Sequence, residues 1–193
     1  MASRLAASEL SGMVPSTSVR TEADKPKILG LIRELGRLAT GAGNVYLVGG
    51  SSIVLLDGGR DSTIDVDLKL DPEPPGIFEA IATLKNSLDL NIELSAPDQF
   101  IPPLPGWRER SRLIETVGSV GFFHYDFYSQ ALAKLERSHD RDLRDVQHLI
   151  ESGLIDRTRL LNYFSAIEGD LIRFPAINAD QFKRSVDVTC RQP

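Results

Sequence analysis

The sequence predicts an α+β protein: a small mixed β-sheet flanked by helices, followed by a helical C-terminal part. Three observations lead there. Up to about residue 128, short segments with apolar residues at every second position alternate with segments whose apolar residues recur at three and four. Glycines and prolines punctuate the junctions between them. Beyond residue 130 the helical spacing takes over. The expected organisation is a mobile tail over 1–23, a core over 24–130 and a helical part over 131–193 packed on that core.

The tail is rich in Ser, Ala and Thr and contains Gly12 and Pro15. Ile28, Leu31, Ile32, Leu35 and Leu38 then mark an amphipathic helix with Pro26 in its first turn, ended by Gly41-Ala42-Gly43-Asn44. Val45–Val48 is the first strand, apolar enough to be covered on both faces. Ser51 or Ser52 is expected to cap a helix over Ile53–Leu56. A turn-rich loop, Asp57–Ser62, leads to a second strand, Thr63–Leu70, which Pro72, Pro74 and Pro75 stop. A helix over Ile77–Leu88 and a short strand over Leu90–Leu94 follow. After the proline-rich loop Ile101–Gly106, Trp107 reads as that loop's apolar anchor or as a platform for a base. Arg112–Val117 and Val120–Tyr128 form a hairpin about Gly118-Ser119. Ser129–Glu136 is helical. Asp140–Ser152 is a further helix, with Asp140 as N-cap and Gly153 as C-cap. If Ser138-His139 does not interrupt them, these two form one helix with Lys134, Arg141 and Asp145 on one face. Leu160, Leu161, Phe164, Ile167 and Leu171 continue the helical spacing.

Composition narrows the function. A chain of 193 residues with 41% hydrophobic and 25% charged residues fits one globular domain. One cysteine, Cys190, excludes an internal disulfide framework and suits a reducing compartment. No apolar run approaches membrane-spanning length and no signal-peptide pattern opens the chain, so the expectation is a cytoplasmic protein with no membrane partner. A net charge of −5 argues against a broad nucleic-acid-coating face. It leaves room for a local basic cleft, and basic residues do cluster: Arg108, Arg110 and Arg112, then Lys134, Arg137, Arg141 and Arg144. His124, His139 and His148 make no zinc spacing with Cys190.

The chemistry lies between Val45 and Leu70. In Thr63-Ile64-Asp65-Val66-Asp67-Leu68 the two aspartates alternate with aliphatic residues. On a strand both carboxylates project from one face. Paired carboxylates repel each other unless a cation joins them, and Mg²⁺ typically takes one or two carboxylates plus substrate phosphates. Glu93, on the third strand, is the candidate third carboxylate, with Asp98 as its competitor. Upstream, Gly49-Gly50-Ser51 leaves a strand and opens a helix, a place where backbone N–H groups and a hydroxyl suit a phosphate. Arg60 is placed to neutralise phosphate or to pair with Asp61, and Thr63 flanks the site. A metal pair beside a triphosphate cradle is a nucleotidyl-transfer layout.

Gly49-Gly50-Ser51, then Arg60, then Asp65-x-Asp67 resembles the signature of the polymerase-β-type nucleotidyltransferase superfamily. Within it the chain is most similar to the AbiE-type toxin nucleotidyltransferases and their uncharacterised relatives. Ala133-Lys134-Leu135-Glu136-Arg137 and Arg141-Asp142-Leu143-Arg144-Asp145 resemble the later helical motif of that group, so the resemblance spans about Val45 to Leu154. It implies a nucleotidyltransferase fold, an NTP substrate and Mg²⁺ or Mn²⁺. Asp65 and Asp67 would be catalytic and metal-binding, and Lys134 would contact phosphate. One functional aspartate is expected from Asp142 and Asp145, and only the unbroken-helix geometry favours Asp145. The acceptor implied is an RNA 3′ end or a protein hydroxyl, and a separately encoded antitoxin is the implied partner. A relative that binds nucleotide or a partner without turnover is the alternative.

Overall fold

The computed structural model describes residues 21–191. The expected first helix forms as α1 (Lys25–Leu38): Asp24 accepts a hydrogen bond from the Lys27 N–H, and Pro26 lies in the first turn, where its missing N–H costs nothing. Residues 1–20 of the expected tail lie outside the described residues. The last of that stretch is fixed in place. Thr21 Oγ1 hydrogen-bonds Asp89 (2.6 Å), and a two-residue strand β1 (Ala23–Asp24), with Ala23 fully buried, pairs with a second short strand, Ser62–Thr63.

The main sheet has five strands. β2 (Gly43–Val48) lies at its centre. The pair Ser62–Thr63 is β3, and β4 (Asp65–Leu70) runs antiparallel to β2. β5 (Asn91–Leu94) is parallel to β4 at one edge. β6 (Arg112–Val117) and β7 (Val120–His124) form the expected hairpin, with β7 parallel to β2, so the order is β5-β4-β2-β7-β6 and the sheet is mixed. Alternation decides the two faces. Val45, Leu47, Val66, Leu68 and Ile92 join α1 and α3 (Ile77–Ser87) in one apolar core. Tyr46, Val48, Asp65, Asp67 and Lys69 have the opposite parity and face the other way. Burying each of those aliphatic side chains contributes roughly 2 kcal/mol.

The second half folds on that other face. After a one-turn helix, α4 (Trp107–Arg110), four longer helices, α5 (Phe127–Arg137), α6 (Asp140–Glu151), α7 (Arg157–Glu168) and α8 (Ala179–Arg191), surround Leu132, Leu135, Val146, Leu149, Leu160, Phe164 and Phe182. Ile53, from the sheet half, is part of the same cluster. Trp107 is buried against Tyr46 and Tyr125, its ring stacked 4.7 Å from that of Tyr125, so it anchors the proline-rich loop and offers no open platform to a base.

Four local expectations are corrected. The helix after β2, α2, spans Gly49–Val54, and neither serine caps it: Ser51 lies inside it and returns its hydroxyl proton to the Val48 carbonyl (2.8 Å). The hairpin's second arm ends at His124, because Asp126 caps α5 by accepting from the N–H groups of Tyr128 and Ser129. Asp140 is the first residue of α6, with His139 in the cap position, and Gly153 stands at φ +68° one residue past the cap Ser152. The chain also breaks between Lys134 and Asp145. Ser138 adopts a left-handed φ of 54°, ends α5, and hydrogen-bonds Ser185 of α8 (2.8 Å). Among the described residues no helix is long and apolar enough to cross a membrane.

Candidate active site

β4 sets Asp65, Asp67 and Lys69 at alternate positions, hence on one face. The parallel register of β5 places Asn91 opposite Asp65 and Glu93 opposite Asp67. Asn91 sits between two carboxylates: its Nδ2 donates to Asp65 Oδ1 (2.7 Å) and to Glu93 Oε1 (2.9 Å). Asp98 is drawn off to Lys69 (2.7 Å), so Glu93 is the carboxylate that shares the strand neighbourhood of the pair. The Asp67 carboxyl is pushed up to about 6. Burial is the main cause, the negative charges of Asp65 and then Glu93 add to it, and Arg137 and Lys134 partly oppose it.

The glycine turn is tied down rather than open. Gly49 has φ +59°, which suits glycine, and a Cβ there would stand 3.2 Å from Asp67 Oδ2. Its N–H donates to Gln130 Oε1 (2.8 Å), and Ser51 is fully buried with its hydroxyl within reach of the Val48 and Asp67 carbonyls. The groups expected to meet phosphate here therefore brace β2 against β4 and α5. Gln130 Nε2 donates to the Tyr125 carbonyl (2.7 Å) and to Ser52 Oγ (3.3 Å). That leaves the Ser52 proton for His124 Nδ1 (2.9 Å). Burial, with Arg112 adding to it, lowers His124 to about 4, so its ring is neutral at pH 7. Gly50 has no room for a side chain: a Cβ would lie 2.2 Å from Thr63 Oγ1. Overpacking of this kind costs about 1–3 kcal/mol. Gly50→Ala is expected to lower the unfolding free energy by that amount, read as a lower urea midpoint at an unchanged denaturant slope.

Five charged side chains make the opposite wall. Lys134 Nζ lies 2.6 Å from Asp145 and 3.1 Å from Asp142, and all three are buried. Arg60 grips both oxygens of Asp145, its Nε at 2.7 Å from Oδ1. Arg137 adds a bond to Asp142 (3.0 Å). Burial raises the Asp142 carboxyl, but the charges of Lys134 and Arg137 and their hydrogen bonds outweigh it and hold the group below its ordinary value. So Arg60 pairs with Asp145 and not with Asp61, and the two aspartates do not salt-bridge to Arg141 and Arg144 at the surface. The helix break does not separate Lys134 from Asp145, because α6 folds back beside α5 and delivers both aspartates to the lysine.

The two walls meet. One narrow cleft is lined by Gly49, Asp67, Gln130, Lys134 and Arg137, with Phe100 and Pro97 at its side. It holds about 40 Å³, whereas ligand pockets run to about 300–1,000 Å³. The space is too small to enclose a nucleotide as it stands. For a divalent cation the donor chemistry fits. Asp65 and Asp67 are hard oxygen ligands, and Asp67 carries like-charge repulsion that a cation would relieve. Among the described residues no three His, Cys, Asp or Glu side chains are gathered closely enough to hold a metal by themselves. The fit is therefore to a pair of carboxylates completed by substrate oxygens, as Mg²⁺ favours. Asn91 and Gln130 went unnoticed in the sequence. Asn91 was within reach of the period-two argument that located Glu93, being two residues before it, whereas Gln130 carries no such signal. Arg137 stands out in the sequence as a member of a basic cluster and of the Ala133–Arg137 segment, without a role of its own.

A mixed sheet flanked by helices, with an aspartate pair on one strand beside a glycine turn, is the architecture of a nucleotidyltransferase fold. The chain belongs to the family described as "Nucleotidyltransferase of unknown function (DUF6036)", whose model matches residues 27–174. No curated protein and no solved structure gives a significant match.

Proposed function

We propose that the protein is a metal-dependent nucleotidyltransferase that moves a nucleoside monophosphate from an NTP to an acceptor hydroxyl and releases pyrophosphate. The observation that carries this reading is Asp67: half-buried, paired with Asp65, held at about 6, and facing a cleft it shares with Lys134 and Arg137. Bound Mg²⁺ or Mn²⁺ would neutralise phosphate charge and lower the pKa of the attacking hydroxyl. Asp65 and Asp67 would hold the ion, with Glu93 orienting Asp65 through Asn91. Arg137, half-exposed at the cleft, meets incoming phosphate charge. Lys134 and Asp145 hold the cationic wall in register, and Gln130 fixes the glycine turn. Positioning and charge neutralisation account for most of the rate.

The likeness to the AbiE-type toxins supports an RNA 3′ end or a protein hydroxyl as acceptor, and a toxin role with a cognate antitoxin. The single cysteine and the proposed use of an NTP support a cytoplasmic setting. Incubation with each α-labelled NTP, Mg²⁺ or Mn²⁺ and total RNA is the test, run beside Asp65→Ala/Asp67→Ala. Label reaching RNA or protein with the parent only is the expected result and names the acceptor class. Metal-dependent NTP binding without transfer to any acceptor favours the non-catalytic relative, as does the commitment of Lys134 to two aspartates.

A further inference from the structure

The 57–62 loop and α6 enclose a cavity of about 430 Å³ that the transfer reading does not use. Arg141, Arg144, Asp145 and His148 line one side, at the spacing that puts them on one helix face. Arg60 and Asp61 line the other. Arg60 and Asp145 satisfy each other through two hydrogen bonds. What remains is cationic. Arg141 is exposed and makes one long bond to the Ser62 carbonyl (3.4 Å), so most of its donors are free. Arg144 makes no ion pair to an acid among the described residues, and Asp61 is the sole opposing carboxylate in the lining.

His148 supplies an independent observation. Its Nε2 is buried and has no hydrogen-bond partner. A buried polar atom left so costs about 1–3 kcal/mol, and natural proteins leave few of them. The ring borders the cavity, and Gly58 stands close to it: a Cβ there would lie 3.6 Å from His148 Cε1. The loop is thus bare of side chains where it faces the imidazole. Two arginines line this space, and the imidazole ring lies at its border with Nε2 buried behind it. Planar forks match the oxygens of a tetrahedral oxyanion, and two of them side by side suit a group with three or more oxygens better than a carboxylate.

We propose that this cavity is a second anion site that seats a phosphoryl group, brought either by the polyphosphate tail of a nucleotide or by a phosphodiester of the acceptor. Its position suits both. Asp145 lines the cavity and also holds Lys134, which lines the Asp67 cleft, so the Arg60–Asp145–Lys134 chain is the partition between the two spaces. A ligand with several phosphoryl groups reaches both sides of that partition.

The test follows the His148 ring nitrogen by NMR in ¹⁵N-labelled full-length protein, with His148→Gln to assign it. Inorganic phosphate is titrated against chloride at equal ionic strength. The expected result is a saturable shift at Nε2, weakened at least tenfold in Arg141→Gln/Arg144→Gln. Both arginines are exposed, and circular dichroism checks that the variant folds. A non-hydrolysable NTP and a short oligonucleotide without a terminal phosphate are then compared. A response to the first assigns the site to the nucleotide, and a response to the second assigns it to the acceptor. No saturable shift, equal affinity in the double variant, or a shift with phosphate that neither larger ligand reproduces overturns the proposal. The titration reads the cavity and not transfer, so it stands or falls apart from the label assay.

Discussion

Asp67→Asn is expected to lose the proposed transfer by roughly a thousandfold or more, since the ion it would help to hold stabilises the transition state by several kcal/mol. The same variant is expected to unfold at a higher temperature than the parent in metal-free buffer above pH 6. A carboxyl held at about 6, above its ordinary 3.8, binds its proton more tightly folded than unfolded. The folded state therefore gains as pH falls from about 7 towards 4, and above pH 6 the ionised group costs stability. At about 1.4 kcal/mol per pKa unit the full cost has an upper limit of about 3 kcal/mol, and partial exposure reduces it to about 1–2 kcal/mol. Asparagine removes it. Mg²⁺ should reverse the order of the two melting temperatures, and the parent's Mg²⁺ affinity should fall by up to about tenfold per pH unit below 6. Differential scanning fluorimetry at pH 5 and pH 8, with and without Mg²⁺, gives all four comparisons. Equal melting temperatures at pH 8 without metal would remove the stored repulsion from the account.

Lys134→Met is expected to cost about 3–4 kcal/mol in a urea titration. Truncating one partner of a buried charged network leaves the others uncompensated, which typically costs about 3–5 kcal/mol. Asp145 keeps Arg60 and Asp142 keeps Arg137, so the lower part of that range applies. A double-mutant cycle of Lys134→Met with Asp142→Leu should return a coupling of about 2 kcal/mol, because Arg137 is half-exposed and can return to water. The pH signature has the opposite sign to that of Asp67. The Asp142 carboxyl is held low, so its contribution is present at neutral pH and is lost as pH falls through the ordinary carboxylate range to the depressed value. That loss should be shallower in Lys134→Met.

Much of this was legible because it depends on local periodicity. The aspartate pair, the central apolar strand and the amphipathic helices follow from spacing, and Glu93 follows from spacing plus the guess that its strand lies next to β4. The partners of the charged wall were not legible. Arg60 meets Asp145 across 85 residues, and nothing in the Asp57–Ser62 loop announces a bond to a helix that far along the chain. The sequence sets Lys134 and Asp145 on one face of a straight helix, and that helix does not exist. The two meet because a single left-handed serine turns the chain back on itself, a conformation that sequence disfavours for serine. The caps failed for a related reason. Ser51 and Ser52 are good capping residue types, but the helix starts earlier, at Gly49, and their hydroxyls are claimed by the Val48 carbonyl and His124.

The bond from Gly49 to Gln130 spans 81 residues, and the one from Arg60 to Asp145 spans 85. Synthesis therefore delivers the two walls of the cleft at different times. A nascent chain carries both aspartates long before it carries the lysine and arginine that face them. Contacts so distant in sequence close late in folding. A product ending before α5 lacks the whole basic side of the cleft, and one ending before α6 leaves Lys134 without Asp142 and Asp145, so the charged wall is complete only once α6 docks.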